Sequence, residues 1–101
     1  MMPMERRANI VKLAAADNVA VALSDIAAGE LAVDRAELAV TAREHIPLGH
    51  KIALRPIVAE EPIVRFGMPV GLARAASAKG MLVHVHNVRS QYLDNEVDHY
   101  E

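Results

Sequence analysis

The last apolar stretch of the chain reads His84-Val85-His86-Asn87. On a strand, positions i and i+2 share a face, so both imidazoles project together while Val83 and Val85 point the other way. That spacing suits a divalent metal or a polyanionic substrate. Two ligands do not complete a metal site, so further ligands have to come from another domain or chain. The plainer alternative is a half-exposed strand whose polar face carries two histidines. A second group is Gly49-His50-Lys51. A glycine in a turn lets a ligand approach the backbone, and a histidine beside a lysine can bind a carboxylate or act as an acid/base pair. Its plainer alternative is a solvated turn. Arg65 and Arg55 lie on or beside strands and have the chemistry to bind carboxylates, or are simply exposed strand arginines. His45 and His99 sit in a loop and a tail, Asp17-Asn18 reads as a turn, and Glu60-Glu61 reads as a solvated loop pair. No complete catalytic constellation is present: there is no Ser-His-Asp order with supporting motifs, no glycine-rich phosphate loop ahead of a helix and no His-Glu-x-x-His.

The elements that must position these residues are short strands between tight turns. Asn9–Leu13 and Val19–Leu23 alternate as strands, with Asp17-Asn18 as the break between them. Ser24–Glu30 forms a turn that Ser24 or Asp25 can cap and Gly29 can end in a left-handed conformation. A strand pair is expected at Leu31–Val33 and Leu38–Ala42, with a short helix over Asp34–Leu38 as the alternative. Glu44–Lys51 is another turn, followed by the strand Ile52–Leu54. A third turn-like segment covers Ile57–Pro62. Ile63–Phe66 is a strand that Gly67-Met68-Pro69 breaks, and it resumes at Val70–Ala73. Ala75–Gly80 makes the fourth turn, and Met81–His86 the last strand. An apolar residue, a short spacer and a glycine recur at Ile26–Gly29, Ile46–Gly49 and Ala76–Gly80, at intervals that define no solenoid period. The expected architecture is a mostly β domain over residues 1–88. A polar tail or linker covers 89–101.

Composition narrows the function classes. The chain has 101 residues, 52% hydrophobic, 24% charged and only 3% aromatic, with a formal charge of −2. One domain of this size builds one core and little enclosed space besides. The absence of a basic field and of a stacking platform argues against nucleic acid as a partner. With no cysteine there is no disulfide framework, thiolate-bound zinc or thiol nucleophile. Charges interrupt every apolar run well short of the ~18–20 residues of a membrane span, and no secretory pattern follows Met1–Arg7. The expected setting is therefore cytoplasmic, without a membrane.

The motifs say more together than singly. Asp17–Leu23, Asp25–Glu30, Ile46–Leu54 with its Ile-Pro-x-Gly-His-Lys phrase, Arg65–Gly71 and Val83–Asn87 occur in one order. Together they resemble the N-terminal SAF domain of the altronate dehydratase (altronate hydrolase) family, over roughly Ile10–Asn87. Galactarate dehydratase and the small subunit of sulfolactate sulfo-lyase belong to the same wider group. The resemblance implies a β-clip fold. It also implies a role in a hydro-lyase that removes water from a sugar acid, for altronate giving 2-dehydro-3-deoxygluconate in hexuronate breakdown. A divalent metal, iron or manganese, accompanies that activity in the complete enzyme, and a large catalytic domain or subunit is the implied partner. The expected assignment makes His50 and Lys51 catalytic, Arg65 and Asn87 substrate-binding, and His84 and His86 metal ligands. The chain alone is expected to be inactive, as a separate small subunit or as one domain of a longer enzyme. A homodimer through an open strand edge is a further expectation.

There are departures from the family pattern. Phe66 stands where the family commonly has Tyr, Ala75-Ala76 replaces Asp-Ile, Lys79-Gly80-Met81 replaces a Gly-Glu ending, and Glu60-Glu61-Pro62 lacks a glycine. The His-x-His ending favours the altronate or sulfo-lyase branch over the galactarate branch. A sulfolactate sulfo-lyase small subunit and a non-catalytic SAF binding module are the competing expectations.

Overall fold

The computed structural model describes residues 8–86, His86 by its backbone alone. Every regular element within them is a strand. They are β1 (Ile10–Val11), β2 (Val19–Ala22), β3 (Leu31–Val33), β4 (Ala39–Thr41), β5 (Lys51–Ala53), β6 (Pro62–Arg65), β7 (Met68–Ala73), β8 (Leu82–Val83) and β9 (Val85–His86). The mostly β expectation is borne out. Among the described residues no helix is long and apolar enough to cross a membrane.

An antiparallel sheet in the order β1-β2-β5-β8 runs through the middle. Strand side chains alternate between faces, and here both faces are covered. Ala20, Ala22 and Ile52 enter one core with Ile26, Ile46 and the β3-β4 ribbon residues Ala32 and Val40. Val19, Ala53 and Val83 enter a second core with Ile57, Ile63 of β6, Ala73 of β7 and Val85 of β9. The β3-β4 ribbon lies over the first face and the β6-β7-β9 sheet over the second.

The two layers are built alike. Ile26 bridges Ile46, and 31 residues later Ile57 bridges Ser77. Four turns follow these residues, with Glu30, His50, Glu61 and Met81 each donating a backbone N–H to the carbonyl three residues back. The third residue of each turn has positive φ: Gly29 (88°), Gly49 (86°), Glu60 (71°) and Gly80 (89°). Each turn then forms a bulge in which two residues face one, at Ala42, Ala22, Ala73 and Ala53 in that order. The amide side chains repeat as well. Asn9 Oδ1 accepts from Val33 N (2.6 Å) while its Nδ2 donates to Leu31 O (3.1 Å). Asn18 Oδ1 accepts from Val64 N (2.8 Å) and its Nδ2 donates to Pro62 O (3.0 Å). The unit is therefore duplicated at a 31-residue offset, and the sequence rhythm missed it because Glu60 stands where a third glycine would have marked the turn.

Three local expectations change. Asp34–Leu38 is not a helix: Asp34 Oδ1 accepts from Ala36 N and Leu38 N, both at 2.9 Å, and closes a loop. Gly67-Met68-Pro69 does not break the strand. Phe66 and Gly67 form a two-residue turn with φ of 57° and 78°, and Met68 and Pro69 already belong to β7. The last strand is two strands, because the chain crosses at His84 from the central sheet to the β6-β7-β9 sheet.

Asp17 ties the start of β2 to the β6-β7 turn. Its Oδ2 accepts from Leu13 N (3.2 Å) and Ala14 N (3.1 Å), and its Oδ1 from Gly67 N (2.7 Å). Burial pushes this carboxyl up, but the backbone N–H groups of Gly67, Ala14, Phe66 and Leu13 outweigh burial and hold it below its ordinary value of 3.8. A depressed folded pKa adds stability above the unfolded value, and that stability is lost as pH falls through the folded one.

Two measurements check this construction. Gly80→Ala places a Cβ against the Thr41 carbonyl oxygen at a φ of +89°, whereas Gly29 and Gly49 face open space. Urea titration should therefore show Gly80→Ala losing on the order of 2–4 kcal/mol, against about 1–2 kcal/mol for Gly29→Ala or Gly49→Ala. Asp17→Asn should cost about 1–3 kcal/mol at neutral pH by weakening buried acceptor contacts. It should also flatten the loss of stability as pH falls below the ordinary carboxyl value of 3.8.

Candidate functional site

The candidate residues separate along the strands. β5 pairs with β8 through Lys51↔Val83 and Ile52↔Leu82. Carried one residue further, that register sets His50 across from His84 at the end of the two strands. By alternation both belong to the face of Ile52 and Leu82. His50 is half-buried and His84 exposed. The bulged turn at Gly49 holds His50 in place: its carbonyl accepts from Ala22 N (2.8 Å) and its N–H donates to Pro47 O (2.9 Å). Its ring Nδ1 lies 3.5 Å from Leu48 O. His84 is fixed by its carbonyl, which accepts from Arg74 N (2.9 Å), and by its buried neighbours Val83 and Val85. Exposed Leu23 and Leu48 belong to the same end of the molecule.

Lys51 is not part of a turn. It lies in β5 between Val21 and Val83, and is 6% exposed. Successive strand residues face opposite ways, so Lys51 is turned toward the second core and away from the face of His50. In the duplicated unit its place is that of Ala20, which is fully buried.

Arg65 ends β6 at the opposite end of β2, beside Asp17 rather than Ala22. At about 3.3 Å per residue, that is roughly 16 Å from the histidine end. Its guanidinium carbon lies 5.3 Å from the centre of the Phe66 ring. Of the expected site, the β5–β8 register carried one residue further sets His50 opposite His84, while Lys51 turns to the other face and Arg65 is set apart. The His86 side chain and Asn87 lie outside the described residues. Among the described residues no three His, Asp or Glu side chains converge as a metal would need.

The sequence did not single out Asn9, Asn18 and Asp17 as anchors, although an amide directly before an apolar pair, in Asn9-Ile10-Val11 and Asn18-Val19-Ala20, was the available signal. Glu61 was read as solvated. Its side chain is 19% exposed and joins Arg55 (2.5 Å) and Val58 N (3.0 Å). The Arg55 hydrogen bond, with that from Val58, holds its carboxyl below the ordinary value of 4.5.

A family profile, the altronate/galactarate dehydratase SAF domain, matches residues 8–91. The chain belongs to that family. The SAF domain is 41% identical over 92 residues to an altronate dehydratase of Escherichia coli, and 34% identical over 92 residues to one of Bacillus subtilis. Those alignments cover 90% and 91% of this chain but 18% of each relative. A (2R)-sulfolactate sulfo-lyase subunit alpha of Chromohalobacter salexigens is 33% identical over 49 residues, 48% of this chain and 52% of the relative.

Imidazoles at the end of a strand pair have the chemistry to act as acid or base, to hydrogen-bond a carboxylate or to supply part of a metal's shell.

Proposed function

We propose that this chain is the SAF part of a sugar-acid hydro-lyase of the altronate dehydratase type, working with a large catalytic domain or subunit. The observation that supports the reading is the β5–β8 register, which carried one residue further sets His50 opposite His84 at the end of these strands, in a domain of this family; among the described residues no group of three His, Asp or Glu converges. In the complete enzyme D-altronate loses the proton at C2 and the hydroxyl at C3 as water, and the resulting enol becomes 2-dehydro-3-deoxy-D-gluconate. That reaction needs a base at C2, an acid at the departing hydroxyl and a cation for the carboxylate. The histidine end suits one of these duties at the rim of a site whose walls belong mainly to the partner. A divalent metal, iron or manganese, would supply Lewis acidity there. His84 and His50 can furnish at most part of its shell, and the described residues hold no complete one. Within this reading the setting is cytoplasmic hexuronate catabolism.

A second reading, the small subunit of a sulfolactate sulfo-lyase, draws on one observation. The alpha subunit of that enzyme in Paracoccus pantotrophus is itself short: 58 aligned residues at 29% identity cover 87% of it. The longer and closer match to altronate dehydratases favours the first reading.

The test replaces the matching segment of the E. coli altronate dehydratase with this chain and follows 2-dehydro-3-deoxygluconate formation. The chimera should be active. His50→Ala and His84→Ala should each lower kcat by on the order of 10²-fold with the fold intact by circular dichroism. The isolated 101 residues should show no turnover of altronate with iron or manganese. Turnover by the chain alone, or full activity in the double alanine chimera, overturns the reading.

A further inference from the structure

Arg65 lies far from the histidine end, but the strand ladders bring another cation to it. β9 pairs with β7 through Val85↔Ala73 and His86↔Leu72. The same ladder reaches one residue further back, where Arg74 N donates to His84 O (2.9 Å). Arg74 and His84 are therefore cross-strand partners. Ala73 and Val85 are both buried in the second core, so alternation turns Arg74 and His84 to the opposite side. Both are exposed. On its other flank His84 meets β5, whose register carried one residue further sets His50 opposite it. Neighbouring strands are about 4.8 Å apart, so Arg74, His84 and His50 start from a row roughly 10 Å long.

Arg74 has no evident structural task. Among the described residues the salt bridge joins Arg55 to Glu61, and Arg74 forms none. Glu44 borders the same edge of β8, but its Oε2 accepts from Leu82 N (2.9 Å). A guanidinium left in solvent beside an exposed imidazole is a fork for a planar anion. The other end of the row is acidic. In the turn that leads into His50, Leu48 N donates to Asp25 Oδ1 (2.8 Å). The row thus runs from a cation at Arg74 to a carboxylate at Asp25, with the two imidazoles between them. A sugar acid has the matching polarity, with a carboxylate at C1 and hydroxyls from C2 onward. Laid the other way, it would bring its own carboxylate to Asp25.

We propose that Arg74 is a substrate-binding residue whose guanidinium takes the C1 carboxylate of the sugar acid. C2 then lies beside His84, and the C3 hydroxyl points toward His50. This rests on the hydro-lyase reading above and deepens it, because it assigns the cation that the substrate carboxylate needs. It also fixes the direction in which the substrate lies along the histidines.

Two measurements test the proposal apart from the reading it rests on. The isolated chain of 101 residues is titrated with D-altronate and with D-altritol, in which an alcohol replaces the carboxylate, and followed by NMR. Altronate should shift the Arg74 Nε–Hε and His84 ring signals and saturate in the millimolar range. Altritol should leave them in place, and Arg74→Gln should weaken altronate binding at least about tenfold. In the chimera with the E. coli enzyme, Arg74→Gln should raise KM for altronate about 10–100-fold and change kcat less than about threefold. Arg74→Lys should recover part of that loss. The position is exposed, so both variants keep the two cores. An inactive parent chimera removes the hydro-lyase reading, and the carboxylate site is then decided by the titration. The proposal is overturned if altritol binds as altronate does, or if Arg74→Gln leaves altronate binding and KM unchanged. It is also overturned if Arg74→Gln lowers kcat at constant KM, which would make Arg74 a contact to a carboxylate of the catalytic domain.

Discussion

Everything in this domain depends on the middle strands being covered on both faces. A strand in that position has no solvent side on which to put a long polar residue, and each side chain must fit within the spacing to a neighbouring layer. β2 meets the requirement with Val-Ala-Val-Ala, and β5 with Ile52 and Ala53. The small-residue, aromatic-poor composition is therefore a consequence of the layering. Two thin cores, each closed by a short ribbon or sheet, replace the single thick core that one domain of this size would otherwise build. Lys51 departs from the rule, at 6% exposure in a place its repeat partner gives to Ala20. Departures of that kind are where function is most often stored.

The layers hold because the bulged turns return the chain to the sheet at one fixed geometry four times. Glycine serves in three of these turns, and Glu60 takes the same conformation in the other. Hydrogen bonding within the turns has drifted along with it. Glu30 and Glu61 accept from the backbone N–H groups of Ala27 and Val58, and at Ala78 the acceptor is the Met81 sulfur. The second bulge carries His50 and the fourth carries Met81 in the corresponding place. A shared backbone has thus been kept while one turn acquired an imidazole.

The strand-rich character and most element positions could be read from alternation and from the Gly, Pro, Asp and Asn breaks. The family could be read from the order of its motifs. What could not be read was pairing. Periodicity shows that Met81–His86 is extended, but it does not show that the ladder changes partner at His84, because both segments alternate alike. Nor does it show that His50 and His84, 34 positions apart in the chain, end the same strand pair. That neighbourhood is a product of register. Asp17 and Asn18 looked like ordinary turn residues because their acceptor and donor partners, at Gly67, Val64 and Pro62, are about fifty residues away.

The crossing at His84 also has a mechanical meaning. β8 belongs to one sheet and β9 to another, with a single residue between them. Tension on the C-terminal side of His86 acts along β9, parallel to its ladder with β7, so its hydrogen bonds are loaded together in shear and not peeled one after another. Val85 and His86 thus fasten the chain to β7 immediately after it leaves the central sheet, so a pull applied beyond them meets the β7-β9 ladder before it meets β8.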